Sequence, residues 1–169
     1  MTAIYSFPPI AAPDARVLIL GSMPGEESLQ RSQYYAKQQN AFWKILGELI
    51  GAGWDIEYAK RIEMLKSHGI SLWDVMESCE RKGSLDSAIE ESTIRPNKLA
   101  EFYARHPGIS HVFFNGGKAE AAYRRYVMPQ LGQSCTHLFY ARLPSTSPAY
   151  ASISYLEKLE TWRAILLKP

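Results

Sequence analysis

Four short segments of strand-like composition alternate along the chain with amphipathic segments, and this alternation limits the possible folds more than any other feature. The strand-like segments cover residues 17–20, 70–75, 111–114 and 136–140, and the first of them ends at Gly21. Short apolar runs bounded by turn residues are typical of strands that a parallel sheet buries on both faces. The sequence therefore predicts an α/β fold, a three-layer α/β/α sandwich around a central four-stranded, mainly parallel sheet.

The segments between the strands have helical periodicity. Asn40 is a good N-cap and Gly51 a good C-terminal stop for the helix between them. The apolar residues of this helix follow the i, i+3, i+4, i+7, i+8 pattern, and they are Phe42, Ile45, Leu46, Leu49 and Ile50. Further helices are predicted over about residues 56–67, 96–107, 119–126 and 155–166, with Leu156 on the apolar face of the last one.

The composition excludes several classes of protein. A chain of 169 residues, 46% hydrophobic and 21% charged, favours one globular domain over residues 1–169 rather than a disordered or fibrous protein. No apolar run approaches the ~18 residues of a membrane span, and residues 1–13 lack the basic residues of a signal peptide. Cys79 and Cys135 do not form a disulfide, iron–sulfur or zinc pattern. We therefore expect a cytoplasmic domain without a metal or another cofactor.

The formal net charge of +2 conceals an asymmetry along the chain. Residues 48–94 contain ten acidic and five basic residues, whereas residues 95–142 contain seven basic and two acidic residues. A basic surface suits a polyanionic partner, because Lys and Arg neutralise phosphates and release counterions. The alternative is that these charges lie on solvated helix faces and even out in the folded protein.

In a parallel α/β sheet ligands bind outside the carboxyl ends of the strands, so the segments that follow the strands are candidates for function. Residues 21–25 read Gly-Ser-Met-Pro-Gly, and their glycines let backbone N–H groups approach a ligand. This loop has neither the Gly-x-Gly-x-x-Gly nor the Gly-Lys-Ser/Thr pattern, which argues against nucleotide hydrolysis. Residues 26–39 form a long polar stretch with Tyr34 and Tyr35, and such long loops are more often functional than idle.

Polar residues follow the other strands as well. Asp74 ends the second strand, where a buried carboxylate is costly unless it is paired or used. Asn115 begins an Asn-Gly-Gly-Lys sequence after the third strand, and residues 143–148 read Leu-Pro-Ser-Thr-Ser-Pro after the fourth. Ordinary structural explanations exist too, because Asn40 can cap a helix, Asn115 can close a turn, and residues 148–150 can form a turn before the last helix.

These segments together resemble the uracil-DNA glycosylase superfamily, nearest to its mismatch-specific thymine/uracil branch and its hypoxanthine (deoxyinosine) DNA glycosylases. The motifs are Gly-Ser-Met-Pro-Gly at 21–25, Asn-Ala-Phe-Trp-Lys at 40–44, Phe-Asn-Gly-Gly-Lys at 114–118 and Leu-Pro-Ser-Thr-Ser at 143–147. The resemblance covers about residues 18–148. It implies a monofunctional DNA glycosylase of base-excision repair, which hydrolyses the N-glycosidic bond of a deaminated base flipped out of DNA.

Met23 departs from the superfamily pattern. Most relatives have Asp or Asn at this position of the first motif, where the side chain orients the attacking water, and a thioether cannot do so. The hypoxanthine-specific branch resembles this chain in lacking that polar group and relies on the later Asn, here Asn40. The departure favours hypoxanthine over uracil or mismatched thymine. The alternatives are a uracil/thymine mismatch-specific glycosylase, a small-molecule hydrolase on the same fold and a catalytically inert DNA-binding relative.

The resemblance and the residue chemistry together give a set of predicted site residues. Asn40 is the catalytic candidate, because its amide can orient water and stabilise positive charge on the sugar but cannot act as a general base. The predicted base-binding residues are Ser22, Met23, Tyr35, Asp74 and Asn115. Tyr35 is expected to stack on the base, Asp74 to accept from the ring N–H of its lactam edge, and a backbone N–H near Ser22 to donate to the carbonyl.

The predicted DNA-binding residues are Lys118, Ser145, Thr146, Ser147, Pro148, Ala149 and Tyr150. The serines are expected to hold phosphates through hydroxyl and backbone N–H groups, and residues 148–150 to fill the gap left by the flipped base. Lys118 is expected to contact a phosphate or lie in solvent. The expected partner is DNA with a deaminated base, bound by a monomer that is cytoplasmic and associates with the nucleoid on binding.

Overall fold

The computed structural model describes residues 2–167. The strands are β1 (Ala3–Tyr5), β2 (Val17–Gly21), β3 (Ile70–Asp74), β4 (Met76–Glu80), β5 (Arg95–Pro96), β6 (His111–Asn115) and β7 (Phe139–Leu143). The α-helices are α1 (Glu26–Arg31), α2 (Phe42–Ile50), α3 (Tyr58–Ser67), α4 (Leu99–Arg105), α5 (Gly117–Ala122) and α6 (Tyr155–Trp162). A π-helical turn, Tyr123–Val127, extends α5, and a 3₁₀ turn, Arg163–Leu166, follows α6.

The central sheet has four strands in the order β3-β2-β6-β7, and every neighbouring pair is parallel. All residues of β2 and β3 are buried, as expected for strands covered on both faces. Successive side chains of β2 point to opposite faces, so Val17 and Ile19 pack in one apolar cluster while Leu18 and Leu20 pack in the other. The predicted four-stranded sheet is confirmed.

Helices cover both faces of this sheet, which confirms the three-layer architecture. On one face, α2, α3 and α6 contribute side chains such as Trp43, Leu65 and Trp162. On the other face, α4 and α5 contribute Phe102 and Ala119. Each layer therefore buries the apolar face of its helices against the sheet, and the carboxyl ends of the four strands lie together at one edge. Among the helices of residues 2–167, none is both long enough and apolar enough to cross a membrane.

A second sheet, in the antiparallel order β1-β4-β5, was not predicted. Its strands β1 and β5 span three and two residues, which is too short to give a periodic signal. Strand β4 begins two residues after Asp74, so the chain enters this sheet directly from the end of β3. Asn97 stabilises this connection. Its side-chain amide donates to the backbone carbonyl of Asp74 (2.8 Å), and its backbone N–H donates to the carbonyl of Val75 (2.8 Å).

Several predicted boundaries were wrong. Strand β7 begins at Phe139 rather than at residue 136, because its register is set by pairing with β6 and not by its own apolar run. Pro96 pairs in β5, and α4 starts at Leu99. Helix α2 starts at Phe42 with Ala41 as the N-cap residue. Leu156 is 71% exposed and does not belong to the buried face of α6.

Candidate active site

A cleft of about 730 Å³ lies outside the carboxyl ends of the central strands. It is lined by every residue predicted for catalysis, base binding or DNA contact. These residues are Ser22, Met23, Tyr35, Asn40, Asp74, Asn115, Lys118, Ser145, Thr146, Ser147, Pro148, Ala149 and Tyr150. The four sequence motifs, of which the first and last begin at residues 21 and 143, therefore meet in one place outside the carboxyl ends of the strands.

The floor of this cleft, which we define as Gly21, Tyr35 and Asp74, is packed too tightly for any side chain at Gly21. A Cβ atom built on Gly21 would lie 2.5 Å from Asp74 Oδ1 and 2.9 Å from Tyr35 Oη. Gly21 ends β2 and pairs in register with Asp74 at the end of β3. The glycine of the first motif thus lets a carboxyl group and a phenol converge above the end of β2.

Asp74 is the most unusual group in the floor. It is only 4% exposed, and its Oδ2 is buried without a hydrogen-bond partner among residues 2–167. Burial and the charge of Asp86 raise the pKa of Asp74, Arg81 offsets part of the increase, and the resulting pKa is about 7. Near neutral pH the carboxyl group therefore exists in both protonation states, with one buried oxygen that bonds to no group among residues 2–167.

The Tyr35 side chain presents its hydroxyl to the same place. Its ring stacks on Phe42, with centroids 4.1 Å apart and planes 23° apart, and its Oη accepts a hydrogen bond from Asn115 Nδ2 (3.1 Å). Burial, together with the charge of Asp74, raises the pKa of Tyr35, so the phenol keeps its proton. Because Asn115 is the donor in that bond, the Tyr35 hydroxyl can donate its own proton to a ligand.

The backbone of Tyr35 is held in a left-handed conformation, with φ of +53°, which a bulky residue rarely adopts. The preceding residue is fixed by several contacts that maintain this geometry. The Tyr34 N–H donates to Tyr58 Oη (3.0 Å), its carbonyl accepts from Trp43 Nε1 (2.8 Å), and its own hydroxyl donates to the Pro8 carbonyl (2.9 Å). The aromatic residues of the second motif and of α3 thus orient Tyr35.

Asn115 connects the third motif to the fourth. Its Oδ1 accepts from the Thr146 N–H (2.9 Å), and its Nδ2 donates to Thr146 Oγ1 (2.9 Å) as well as to Tyr35. The Thr146 carbonyl in turn accepts from the Ala41 N–H (2.9 Å) at the start of α2. The Asn115 amide therefore uses both of its protons inside the protein and holds the segments around Tyr35 and Thr146 together.

Asn40 lies half-buried at the cleft, immediately before α2. Its Oδ1 accepts from the Phe42 N–H (2.9 Å), so the side chain acts as a cap from one residue before the N-cap position. Within residues 2–167 its amide nitrogen donates to no other group. One half of the side chain is therefore structural, and the other half is free to orient water or substrate.

One part of the cleft was not anticipated, namely the connection after β4, which we call the 81–88 loop. Ser22 Oγ donates to Asp86 Oδ1 (2.6 Å), the Glu26 N–H donates to Ser84 Oγ (2.9 Å), and Arg81 donates to the Pro24 carbonyl (2.7 Å). These bonds join residues about sixty positions apart, and no motif indicated them. The signal that was available is the length of the polar segment between the second strand and the next helix.

Met23 and Lys118 differ from the other predicted residues in their surroundings. Met23 is 7% exposed and packs in the apolar cluster below the first motif. Lys118 Nζ forms an ion pair with Glu91 Oε2 (2.5 Å). Glu91 also accepts a hydrogen bond from the Tyr126 hydroxyl, and these two contacts lower the pKa of Glu91. The Lys118 ammonium is thus neither free in solvent nor unpaired.

The rim of the cleft, which we define as residues 145–150, is exposed from position 148 to position 150 and locally hydrogen-bonded. Ser145 Oγ accepts from the Ser147 N–H (3.2 Å), and Ser147 Oγ accepts from the Ala149 N–H (3.2 Å). Lys158 Nζ donates to the Tyr150 carbonyl (2.6 Å) and lies 5.3 Å from the Tyr150 ring centroid. The rim is therefore a turn with a fixed, outward-facing aromatic residue. Residues 2–167 contain no group of three or more His, Cys, Asp or Glu side chains arranged to hold a metal ion.

The family model described as the uracil DNA glycosylase superfamily matches residues 8–167. The chain is 39% identical over 114 residues to a hypoxanthine DNA glycosylase from Methanosarcina barkeri, which is 67% of this chain and 71% of that protein. A hypoxanthine DNA glycosylase from Methanosarcina acetivorans is 38% identical over 67% of this chain and 71% of its own. A solution NMR structure from Methanosarcina acetivorans, provisionally assigned as a uracil DNA glycosylase, has a TM-score of 0.79, 31% identity and coverage of 98% and 97% of the two chains.

Proposed function

Since the chain belongs to the uracil DNA glycosylase superfamily, we propose that it is a monofunctional DNA glycosylase that removes hypoxanthine from deoxyinosine in DNA. The observation that carries this proposal is the floor of the cleft, where a buried carboxyl oxygen without a partner stands beside a phenol that can donate. The similarity to two proteins named hypoxanthine DNA glycosylase supports the choice of base. The apolar, buried Met23 agrees with a site that does not use the first motif to activate water.

Recognition of the base is assigned to Asp74. The lactam edge of hypoxanthine carries a ring N–H donor beside a carbonyl acceptor. In its acid form, the Asp74 carboxyl group pairs with both, because its C=O accepts from the ring N–H and its O–H donates to the carbonyl. In its ionised form it still accepts from the ring N–H. With a pKa of about 7, Asp74 can use either arrangement near neutral pH.

Tyr35 and Asn115 support the bound base. Phe42 covers one face of the Tyr35 ring, so the base stacks on the other face. Asn115 holds the Tyr35 oxygen in place and so fixes the ring on which the base stacks. The donor to the leaving base is the O–H of the acid form of Asp74, which pairs with the base carbonyl. As the glycosidic bond breaks, its electron pair goes to the base, and a donor that meets this developing negative charge stabilises the transition state.

Asn40 positions the water. Its Oδ1 is anchored to the start of α2, which fixes the amide plane, and the residue lines the cleft with an NH₂ group that donates to no other group of residues 2–167. The water oxygen bonds to C1′ of the sugar as the bond from C1′ to the base nitrogen breaks, and the water's proton goes to the departing base or to solvent. Asn40 therefore acts by orientation and by its dipole, not as a base.

We assign the binding of duplex DNA to the rim. The hydroxyl and N–H groups of Ser145 and Ser147 contact the phosphates beside the flipped nucleotide, and Tyr150 lies against the gap in the stack. Lys118 contributes positive charge at the neighbouring turn, reduced by its pairing with Glu91. We further propose that the protein acts as a monomer, since one chain supplies every residue of the site, and that it associates with the nucleoid through this DNA contact.

The test is single-turnover excision from oligonucleotide duplexes that carry one deoxyinosine, deoxyuridine or G·T mismatch. We expect release of hypoxanthine to be fastest, with strand breakage only after alkaline treatment, and binding to weaken steeply with salt. Strand breakage without alkali would contradict a monofunctional mechanism. A folded protein that removes no base from any duplex, and whose DNA binding ignores salt, would favour a small-molecule hydrolase instead.

A further inference from the structure

Leu85 is a large apolar residue left in water at the edge of the cleft. It is 55% exposed, and it lines the cleft together with Tyr150, which is 41% exposed. The other large, exposed apolar side chains of residues 2–167 lie outside the cleft, and they are Tyr5, Phe139 and Leu156. An apolar side chain gains from leaving water, and Leu85 stands at the mouth of the base site, where DNA can cover it.

The two apolar tips line the cleft from different parts of the fold. Leu85 lies in the 81–88 loop, which follows β4 of the second sheet and is hydrogen-bonded to residues 22–26 after β2. Tyr150 lies in the segment after β7, which is an edge strand of the order β3-β2-β6-β7. Leu85 and Tyr150 therefore reach the cleft from different sides.

Leu85 is also held in position by both of its neighbours. Ser84 Oγ accepts from the Glu26 N–H (2.9 Å), and Asp86 Oδ1 accepts from Ser22 Oγ (2.6 Å). Arg81 fastens the base of the loop through the Gly83 carbonyl (2.8 Å). The leucine is thus the tip of a loop whose backbone is tied to the first motif, not a side chain that can fold back into the core.

The charges around this tip are mixed. Glu26, Glu27 and Asp86 line the cleft beside it, whereas Arg81 and Lys82 begin the same loop. The tip itself is uncharged and apolar, so it suits the face of a base pair, which is how apolar side chains enter a duplex at unstacked steps.

We propose that Leu85 is a second DNA-contacting residue, which enters the base stack beside the lesion from a different side than Tyr150 and helps to hold the duplex open. This inference rests on the proposed glycosylase function. Flipping a paired base costs free energy for unstacking and for unpairing, and Leu85 offsets part of this cost. Opposite an abasic site only the unstacking cost remains, so its contribution is larger for substrates in which the lesion is paired.

The test compares two duplexes under single-turnover conditions, one with deoxyinosine opposite deoxycytidine and one with deoxyinosine opposite an abasic-site analogue. Leu85→Ala is expected to slow excision from the paired duplex about tenfold and to change excision from the unpaired one less than about twofold, as expected for one lost wedge contact. Leu85→Met, which keeps the apolar volume, should restore the paired rate. Leu156→Ala, an exposed leucine outside the cleft, is the matched control and should match the wild type on both duplexes.

Equal losses on both duplexes would overturn the proposal, because they would show that Leu85 supports the base pocket or the fold of the loop. An unchanged rate on the paired duplex would overturn it as well. The activity of the wild-type protein separates this inference from the proposed glycosylase function. If it releases hypoxanthine from neither duplex, the glycosylase function itself fails, whereas wild-type activity with an unaffected Leu85→Ala variant refutes the role of Leu85 alone.

Discussion

The floor and the rim of the cleft are built on opposite principles. The floor contains a carboxyl oxygen without a partner, a tyrosine with φ of +53° and a glycine with no room for a methyl group. The rim contains serines and an aromatic residue whose hydrogen bonds are local and satisfied. Strain and unsatisfied polar groups persist only where the surrounding structure enforces them, and they concentrate at functional sites.

This difference separates two tasks of a glycosylase. Discrimination among bases needs groups that are rigid and incompletely satisfied until the right base arrives, and such groups destabilise the free protein. Holding DNA needs many weak contacts of little individual importance. We therefore expect substitutions in the floor to have large, substrate-specific effects and substitutions in the rim to have small, uniform ones.

The largest effect is expected for Gly21→Ala. The new methyl group would meet Asp74 and Tyr35 and push both apart, and a displacement of about 1 Å in an active site can cost about 10²-fold in rate. Single-turnover excision of hypoxanthine measures this loss. Gly132→Ala is the matched control, since nothing lies within 4 Å of its Cβ position, and it should retain the wild-type rate. A Gly21→Ala protein with full activity would show that the floor is not rigid.

Asn40→Ala is expected to lower the rate of base release by about tenfold or more, the scale of one lost electrostatic contact. Asn40→Ser distinguishes catalysis from capping, because a serine hydroxyl can still accept from the Phe42 N–H. If both variants melt like the wild type and both are slow, the amide acts on the reaction. Recovery of the rate in Asn40→Ser would mean that Asn40 only caps α2.

Substitutions of Asp74 sharpen the comparison, because they should affect activity and stability in opposite directions. Activity on deoxyinosine is expected to fall in the order wild type, Asp74→Asn, Asp74→Ala, since an unpaired lactam N–H costs about 1–3 kcal/mol. Single-turnover excision from deoxyinosine and deoxyuridine duplexes measures this order. Three folded proteins with equal rates would exclude Asp74 as the residue that reads the base.

The stability of the same variants has a defined pH dependence. The pKa of Asp74 is about 7 in the folded protein against 3.8 in its reference state, so the folded state binds more protons between these values. Its contribution to stability is therefore present at low pH and is lost as the pH rises towards 7. Asp74→Asn does not titrate, so its melting temperature should gain on that of the wild type from pH 4 to pH 8. A difference in melting temperature that stays constant with pH would mean that the pKa of Asp74 is not raised in the folded protein.

Asp86→Asn tests whether the charge of Asp86 contributes to the raised pKa of Asp74. The charge of Asp86 raises the pKa of Asp74, so its removal should lower this pKa. If the acid form of Asp74 reads the base most strongly, the fall of excision rate with rising pH should begin at a lower pH in the variant. Rate measurements across pH 5 to 9 record this shift. An identical pH profile in the two proteins would show that another group controls the titration.

Only part of the fold and of the site could be predicted from the sequence. The central sheet and the position of Asp74 were predictable, because apolar strands and strand-end polar residues are local signals. The places of Asn40 and Tyr35 followed from the resemblance of their motifs to those of the superfamily. The contact between Ser22 and Asp86 was not predictable, because it depends on how a second, irregular sheet turns the chain back. The partners of Asn115 were equally hidden, since they belong to segments that only the fold brings together.

The smallest effect is expected next to the rim, for Lys118→Ala. A lysine that neutralises one phosphate contributes about −0.9 to the slope of log affinity against log salt. Lys118 is already paired with Glu91, and a surface pair of this kind is worth at most about 1 kcal/mol. We therefore expect a slope change of less than one unit, the same on damaged and undamaged duplexes, with an unchanged single-turnover rate. Titrations at several salt concentrations measure it. A loss confined to the damaged duplex would show that Lys118 takes part in base recognition, as the floor residues do. Base recognition would then involve residues outside the buried part of the cleft.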